Sequence, residues 1–245
     1  MLSLFGLNKV AADLSFLGAD MHSHLLPALD DGLHTMEETI EFVQHLHSLG
    51  YSKLICTPHI ISDLHPNSPQ TILPRLQEVQ QQLTANNIPV QIQAAAEYMV
   101  DLEFEASIKN GDQLLTFGEN YILIEMSYIA PSPNIESVIF ELCIKGLQPV
   151  IAHPERYMYY HNTFQKYQRL MDLGCLMQVN LLSLSGYYGK HVKTAAEKLL
   201  KEYMIHFAGT DMHHQNHMNA LQELATKKDF YKLLENAGLR NKSLV

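Results

Sequence analysis

Seven times along this chain a short strand-like run ends on polar residues and gives way to a segment of helical periodicity. The runs are Leu14 to Ala19, Lys53 to Cys56, Val90 to Ala96, Tyr121 to Ile124, Pro149 to Ala152, Leu176 to Asn180 and Met204 to Ala208. Strand and helix alternating at this spacing predict an α/β fold with a parallel sheet, either closed as a barrel or open and doubly wound. In both, catalytic groups gather where the strands end.

The helices carry their own punctuation. Thr35-Met36-Glu37-Glu38 is a capping box that starts one helix, Met36, Ile40, Val43 and Leu46 form its apolar stripe, and Gly50 ends it. Pro69 and Pro74 blur the start of a second, which runs through Leu76, Val79 and Leu83 to Asn86-Asn87. Further helices are predicted over Leu102 to Ile108, from Asn134 to Gly146, from Phe164 to Gly174 and from Val192 to Leu199. Asn216 to Leu234 reads as one or two more, and Asn241 to Val245 as a frayed end. Met1 to Asp13 reads as an N-terminal extension able to form a short amphipathic helix.

The residues that end the strands carry the chemistry. Asp20-Met21-His22-Ser23-His24 puts two imidazoles on one side of an extended segment, where they can grip one metal ion. Asp31 follows in the turn Asp30-Asp31-Gly32; His59 ends the second strand, Glu97 the third, Glu125 the fourth, His153 the fifth, and Asp211 with His213 the seventh. The sixth offers only Asn180 and a loop with Ser183, Ser185, Gly186 and Gly189. Any one of these residues is ordinarily a satisfied polar group or a helix cap. Together on one mouth they are a ligand set.

Charge points the same way. Asp31, Glu97, Glu125 and Asp211 crowded together would repel unless cations sat among them. Nine ligands suit three divalent ions with about three protein ligands each, leaving positions open for solvent or substrate. Three such ions outweigh four carboxylates by about +2, which matches a phosphate dianion. Mixed imidazole and carboxylate ligands favour manganese, iron or zinc over calcium, with magnesium a further candidate.

Composition narrows the partners. With 245 residues, 47% of them hydrophobic, and no Pro/Gly/Ser-rich linker, the chain reads as one domain over 1–245, residues 1–13 being its extension. A formal net charge of −9, with 17 Lys plus Arg against 26 Asp plus Glu, argues against a nucleic-acid partner. No apolar run approaches the roughly 18 to 20 residues of a membrane span, and Met1 to Val10 lacks the features of a signal peptide, so a cytoplasmic protein without membrane insertion is expected. Cys56, Cys143 and Cys175 form no Cys-x-x-Cys pair and read as small buried apolar residues.

His22-Ser23-His24, Asp31-Gly32, Thr57-Pro58-His59, Ala96-Glu97-Tyr98, Glu125-Met126, His153-Pro154-Glu155-Arg156 and Asp211-Met212-His213 resemble the motifs of the polymerase and histidinol phosphatase (PHP) family. Within it they look most like the metal-dependent protein-tyrosine phosphatases of bacterial capsule and exopolysaccharide operons. The match runs from Asp20 to about Met218, and the spaced pattern Val179-Asn180, Ser183, Gly186 and Gly189 is similar to that subfamily. The resemblance implies a distorted seven-stranded, TIM-like (β/α)7 barrel with a trinuclear manganese site at the C-terminal ends of its strands. It also implies substrates that are phosphotyrosines in the tail of a tyrosine autokinase. It carries over His22, His24, Asp31, His59, Glu97, Glu125, His153, Asp211 and His213 as ligands, and Arg156 as a phosphate contact. One departure stands out: the family often places an arginine shortly after the Asp-x-His motif, and here His214, Gln215, Asn216 and His217 follow without one. His214 or His217 is the candidate substitute.

Bound ions lower the pKa of water to around 7 and so supply a nucleophile, and a tyrosinate leaving group, with a conjugate acid near about 10, needs less protonation than an alkoxide. A cysteine-dependent phosphatase is excluded, because Ser62, Pro149 and Leu181 stand where its phosphate loop requires arginine, six residues after Cys56, Cys143 and Cys175. The remaining rivals are a small-molecule phosphatase of the histidinol-phosphatase type, a nuclease, which the acidic charge disfavours, and a catalytically idle, metal-stabilised binding module. For Arg156 the rival is a structural ion pair with Glu155.

Overall fold

The computed structural model describes residues 10–245. Its strands are β1 (Ala19–Asp20), β2 (Lys53–Cys56), β3 (His59–Ile60), β4 (Gln91–Ala94), β5 (Glu97–Met99), β6 (Tyr121–Glu125), β7 (Gln148–Ala152), β8 (Leu176–Asn180) and β9 (Phe207–Gly209). Its helices are α1 (Met36–Ser48), α2 (Pro69–Ala85), α3 (Leu102–Asn110), α4 (Ile135–Ile144), α5 (Gln165–Asp172), α6 (Lys190–Lys201), α7 (Gln215–Leu224) and α8 (Lys228–Glu235). Every strand pairing is parallel, in one sheet of order β1-β2-β4 and another of order β3-β5-β6-β7-β8-β9.

Two of the seven expected strands are each followed, after a two-residue break, by a further short strand, which makes nine. Thr57-Pro58 separates β2 from β3, and Ala95-Ala96 separates β4 from β5. Pro58 has no N–H to give a ladder, so the sheet is interrupted there. Single hydrogen bonds carry the line across the breaks: Thr57 N–H to Ser23 O at 2.7 Å, Ala95 N–H to Cys56 O at 2.8 Å and Glu97 N–H to Pro58 O at 3.2 Å. The ladders do not close into a ring. An isolated parallel bridge between Ser23 and Met212 joins the end of β9 to the residues after β1, with Asp211 N–H on His22 O at 2.8 Å and His24 N–H on Met212 O at 2.9 Å.

Alternation along the strands divides the core in two. Ile55, Leu123, Val150 and Phe207 point into a small cluster fed by strands of both sheets, together with Ala19, Ala95 and Leu176. Their neighbours Leu54, Cys56, Ile122, Ile124, Ile151, Met177 and Val179 point the other way, against the helices. Helix punctuation follows the sequence closely. Thr35 and Glu38 form the reciprocal capping box, Pro69 is the first residue of α2 after Ser68, and Gly111 closes α3 at φ 75°. The region 216–234 resolves into two helices, α7 and α8. Cys56 and Cys175 are buried and Cys143 partly so, all three as free thiols.

Both ends of the chain differ from expectation. Most of the predicted N-terminal helix falls on residues 1–9, outside those described, and residues 10–13 carry no helix. The C-terminus is not frayed: Asn241–Leu244 forms a 3-10 turn packed under the N-terminal ends of the strands. Asn241 is buried, its Oδ1 accepting from Ala208 N–H at 2.9 Å and its Nδ2 donating to Ala19 O at 3.0 Å and Ala208 O at 2.6 Å. Lys53 Nζ donates to Leu244 O. One side-chain amide thus ties β1 to β9 at the end opposite the histidines, a long-range role that a short terminal stretch does not advertise.

Asn241→Ala should cost about 2 to 4 kcal/mol of stability, because it leaves a buried N–H and two carbonyls without partners. Denaturant unfolding measures this directly. A loss below about 0.5 kcal/mol would show that the tail does not hold the strands together.

Candidate metal centre

All nine residues expected as ligands meet at one mouth, at the C-terminal ends of the strands. His22, His24, Glu97, Glu125, His153 and Asp211 are buried, His59 and His213 are partly exposed, and Asp31 stands at the rim. His22 Nε2 lies 3.1 Å from Glu97 Oε2, 3.3 Å from Asp211 Oδ1 and 3.3 Å from His24 Nε2. His59 Nδ1 lies 2.8 Å from Glu125 Oε1 and 3.3 Å from Glu97 Oε2, and His153 Nε2 lies 2.9 Å from Glu97 Oε1. Asp31 Oδ1 is 3.7 Å from His59 Nε2 and 3.5 Å from His213 Nε2.

Eight of the nine fall into three groups whose donor atoms lie within 4.8 Å of one another: His22, His24, Glu97 and Asp211; His24, Asp31, His59 and His213; and His59, Glu97 and Glu125. His153 joins them through Glu97. His22 hydrogen-bonds Glu97, but several of the other contacts are short and poorly aligned as hydrogen bonds. Glu97 Oε1, Glu125 Oε1 and His59 Nδ1 are buried within ion-pair distance of partners, yet none makes a hydrogen bond of acceptable geometry. Donor atoms aimed past one another into shared space fit cations between them.

The charge argument needs correcting. Imidazoles alternate with carboxylates, so protons on the histidines can neutralise the cluster as cations would. Burial acts to raise the Glu97 and Asp211 pKa values, but His22 with His59 and His22 with His213, respectively, outweigh it and hold both carboxyls well below their usual range. Burial acts to lower the His22 pKa, and Glu97 and Asp211 overcome this and raise it to about 9. Ions and protons compete for the same atoms. Donor geometry, not charge, makes the case for metal.

Two of these residues are held in strained backbone. His153 has φ 34° and Asp211 φ 51°, left-handed values unusual for residues with a Cβ, and both sit immediately beyond strand ends. Gly32 follows Asp31 for a related reason. A Cβ there would overlap His24 O and come within 2.6 Å of His24 Cβ, so the turn can fold over the histidine only with glycine.

The sequence reading missed the residues that orient the ligands. Asp30, not Asp31, lies 2.7 Å from His24 Nδ1 and also accepts from His59 N–H at 2.9 Å and Gly32 N–H at 3.0 Å. Gln178 Oε1 lies 2.9 Å from His22 Nδ1 and accepts from His153 N–H at 3.2 Å. Its Nε2 donates to Asn180 Oδ1 at 2.9 Å, and Asn180 Nδ2 donates to Asp211 Oδ2 at 2.6 Å. The sixth strand, which seemed to bring nothing, supplies this relay. Period-two alternation places Gln178 and Asn180 on the face of the ligands, and that signal was available.

Arg156 does not pair with Glu155. Glu155 is fully buried and accepts from Asn180 N–H and Ser183 Oγ, whereas Arg156 reaches Asp211 Oδ2 at 3.3 Å. Arg156 lines a cavity of about 460 Å³ with Asp31, His59, Glu125, Asp211 and His213. His214 and His217 also border it. His214 is exposed and caps α7 through the His217 N–H. His217 is buried, and burial with His214 beside it pulls its pKa down to about 4, leaving it neutral. Neither residue offers the fixed charge of an arginine.

Residues 18–229 match the family model described as capsular polysaccharide synthesis, CpsB/CapC. The chain is 29% identical to tyrosine-protein phosphatase YwqE of Bacillus subtilis (strain 168), over 92% of each sequence. It is 26% identical to tyrosine-protein phosphatase CpsB of Streptococcus agalactiae serotype V, over 79% of this chain and 82% of that one. A chain from the crystal structures of YwqE of Bacillus subtilis and CpsB of Streptococcus pneumoniae, described as metal-dependent tyrosine phosphatases, superposes with a TM-score of 0.77 at 29% identity, covering 89% of this chain and 92% of that one.

Asp30→Asn, which keeps the shape and removes the charge behind His24, should weaken metal binding by about 10- to 100-fold, read by competition with a chelator. Unchanged affinity would leave Asp30 as a turn residue only. Stability of the chelated protein should depend on pH in a defined way. His22, at about 9 folded and about 6.5 unfolded, contributes fully below pH 6.5 and loses that contribution as pH rises through 9. Asp31, lowered to about 2 by His213, contributes above about pH 4 and loses it only as pH falls through 2. On the alkaline side, above about pH 6.5, the melting temperature should therefore fall as pH rises toward 9. A curve that rises from pH 6.5 to 9 would contradict the ion-paired cluster.

Proposed function

The chain belongs to the CpsB/CapC family of capsular polysaccharide synthesis, and from that premise we propose that it is a metal-dependent protein-tyrosine phosphatase. The observation that carries this reading is the convergence of three donor groups, sharing His24, His59 and Glu97, beside a guanidinium in one cavity. On this reading the two sheets are the parts of one distorted seven-stranded barrel, its interior the small cluster both sheets feed. His22, His24, Asp31, His59, Glu97, Glu125, His153, Asp211 and His213 would hold three divalent ions; manganese, iron and zinc all suit these donors, and manganese is the ion the family resemblance implies. When bound, the ions supply an acidified water as nucleophile and positive charge for the phosphoryl oxygens.

The chain's own residues do the rest. Of the five N–H donors on Arg156, one is committed to Asp211, which leaves a fork for phosphoryl oxygens. Asp30, Gln178 and Asn180 fix the ring and carboxylate orientations before substrate arrives. The mouth distinguishes a peptide from a metabolite. Leu64 is 72% and Ile129 92% exposed, and both border the cavity. A lip of exposed apolar side chains suits the residues flanking a phosphotyrosine better than it suits histidinol phosphate, a small polar zwitterion. The expected partner is the phosphotyrosine-bearing tail of a tyrosine autokinase, met in the cytoplasm. Among the described residues no helix is long and apolar enough to cross a membrane.

Manganese-loaded protein should release phosphate from a phosphotyrosyl peptide well ahead of histidinol phosphate; the reverse order would favour the small-molecule reading. Arg156→Lys should lower kcat/KM by roughly one to three orders of magnitude with metal content unchanged. Full activity would remove Arg156 from the phosphate. Replacing Leu64 and Ile129 together by Ser should raise KM for the peptide about tenfold and leave kcat/KM for a small aryl phosphate unaltered. Equal losses on both substrates would assign the lip to folding instead.

A further inference from the structure

Arg156 stands in a 3-10 turn directly after β7, on a side chain with four rotatable bonds and, among the described residues, a single hydrogen bond, to Asp211 at 3.3 Å. That single contact does not fix the plane of a guanidinium, and a fork whose plane is free loses its advantage over lysine. Two aromatic rings supply the missing restraint. The guanidinium carbon lies 4.3 Å from the ring centre of Tyr128 and 4.5 Å from that of Tyr188, both within cation–π range. The rings come from different loops, Tyr128 after β6 and Tyr188 between β8 and α6.

Each ring is itself braced. Tyr128 packs 6.1 Å from the buried ring of Tyr157, whose hydroxyl accepts from Met126 N–H, and its own hydroxyl lies 3.4 Å from His153 Nε2. Tyr188 sits in a turn closed by Gly189 N–H on Gly186 O at 2.9 Å, both glycines at left-handed φ, and meets the ring of Tyr187 edge-on at 5.1 Å. The Tyr188 hydroxyl is buried and makes no hydrogen bond. Its contribution therefore lies in the ring.

We propose that Tyr128 and Tyr188 are positioning residues that clamp the Arg156 guanidinium and hold its free N–H groups toward the phosphate of the substrate. The clamp explains how one arginine serves where no second follows Asp211-Met212-His213: orientation is fixed by π-faces instead of by a second cation. It rests on the phosphatase reading above, and it is a separate claim from the metal centre.

Tyr188 is the residue to test, because Tyr128 also touches His153. With manganese-loaded protein and a small aryl phosphate, Tyr188→Leu should lower kcat/KM roughly three- to thirtyfold and weaken inhibition by inorganic phosphate in step, with metal content and melting temperature held. Tyr188→Phe keeps the ring and should restore both readouts. In an Arg156→Ala background, Tyr188→Leu should cost less than about twofold more, since nothing remains to be clamped. The clamp is overturned if Tyr188→Phe loses as much as Tyr188→Leu, or if Tyr188→Leu costs as much without the arginine as with it. Failure of the phosphatase reading would look different: the manganese-loaded wild-type protein would then release no phosphate from the aryl ester.

Discussion

Glu97 is the group on which the rest of this structure depends. It is completely buried and lies within 3.4 Å of four imidazoles from three separate segments, His22 and His24, His59, and His153. A carboxylate at that depth is costly unless it is surrounded by partners, and the partners come from strand ends that have no other reason to meet. The need is satisfied only when the residues just after β1 and β7 stand level with the first residues of β3 and β5. The breaks at Thr57-Pro58 and Ala95-Ala96 belong to the same requirement. They let two strands leave one sheet and join the other while still bringing His59 beside Glu97, which are register partners across β3 and β5.

The two ends of the strand assembly divide the work. At the mouth, ionisable groups crowd together and His153 and Asp211 occupy left-handed backbone, both of which cost stability. At the opposite end, Phe117, Phe207 and Leu244 pack with Ala19 and Leu176, and Asn241 ties the first strand to the last. Apolar burial there offsets strain at the mouth, since the two clusters share the same short strands. Asp20 shows where one regime passes into the other. It is fully buried at the end of β1, takes hydrogen bonds from Thr210 N–H and Oγ1, and burial, partly offset by Thr210, raises its pKa to about 6.

Most of the secondary structure and every metal-ligand candidate were legible in the sequence because each had a local signature. Thr35-Met36-Glu37-Glu38 needs only its own four residues to be a capping box, and a histidine after an apolar run needs only that run. What stayed hidden is what depends on partners far along the chain. Asp30 and Asp31 are adjacent and chemically identical, and only the fold decides that one turns back to His24 while the other faces the rim. Asn241 looks like part of a frayed tail until Ala19 and Ala208 are placed above it. Tyr128 and Tyr188 are sixty residues apart and meet only through Arg156. The two extra short strands stayed hidden for a related reason: His59-Ile60 and Glu97-Tyr98-Met99 begin on the polar residues that read as the ends of the strands before them.

The proton inventory of the cavity bears on which phosphate ester it can cleave. A departing alkoxide must be protonated almost as it leaves, so an alkyl-phosphate site requires an acid placed at the leaving oxygen. The imidazoles His22, His24, His59 and His153 are committed to Glu97 and its neighbours, and His217 is held neutral by burial and His214. The hydroxyl of Tyr128 is pushed well above its usual range by burial, against the pull of Arg156, and gives up its proton reluctantly. A tyrosinate, with a conjugate acid near about 10, can depart with charge stabilisation alone. An aryl ester thus asks less of the remaining imidazoles at the cavity than an alkyl ester would, and the apolar lip at its mouth favours the same substrate by unrelated means.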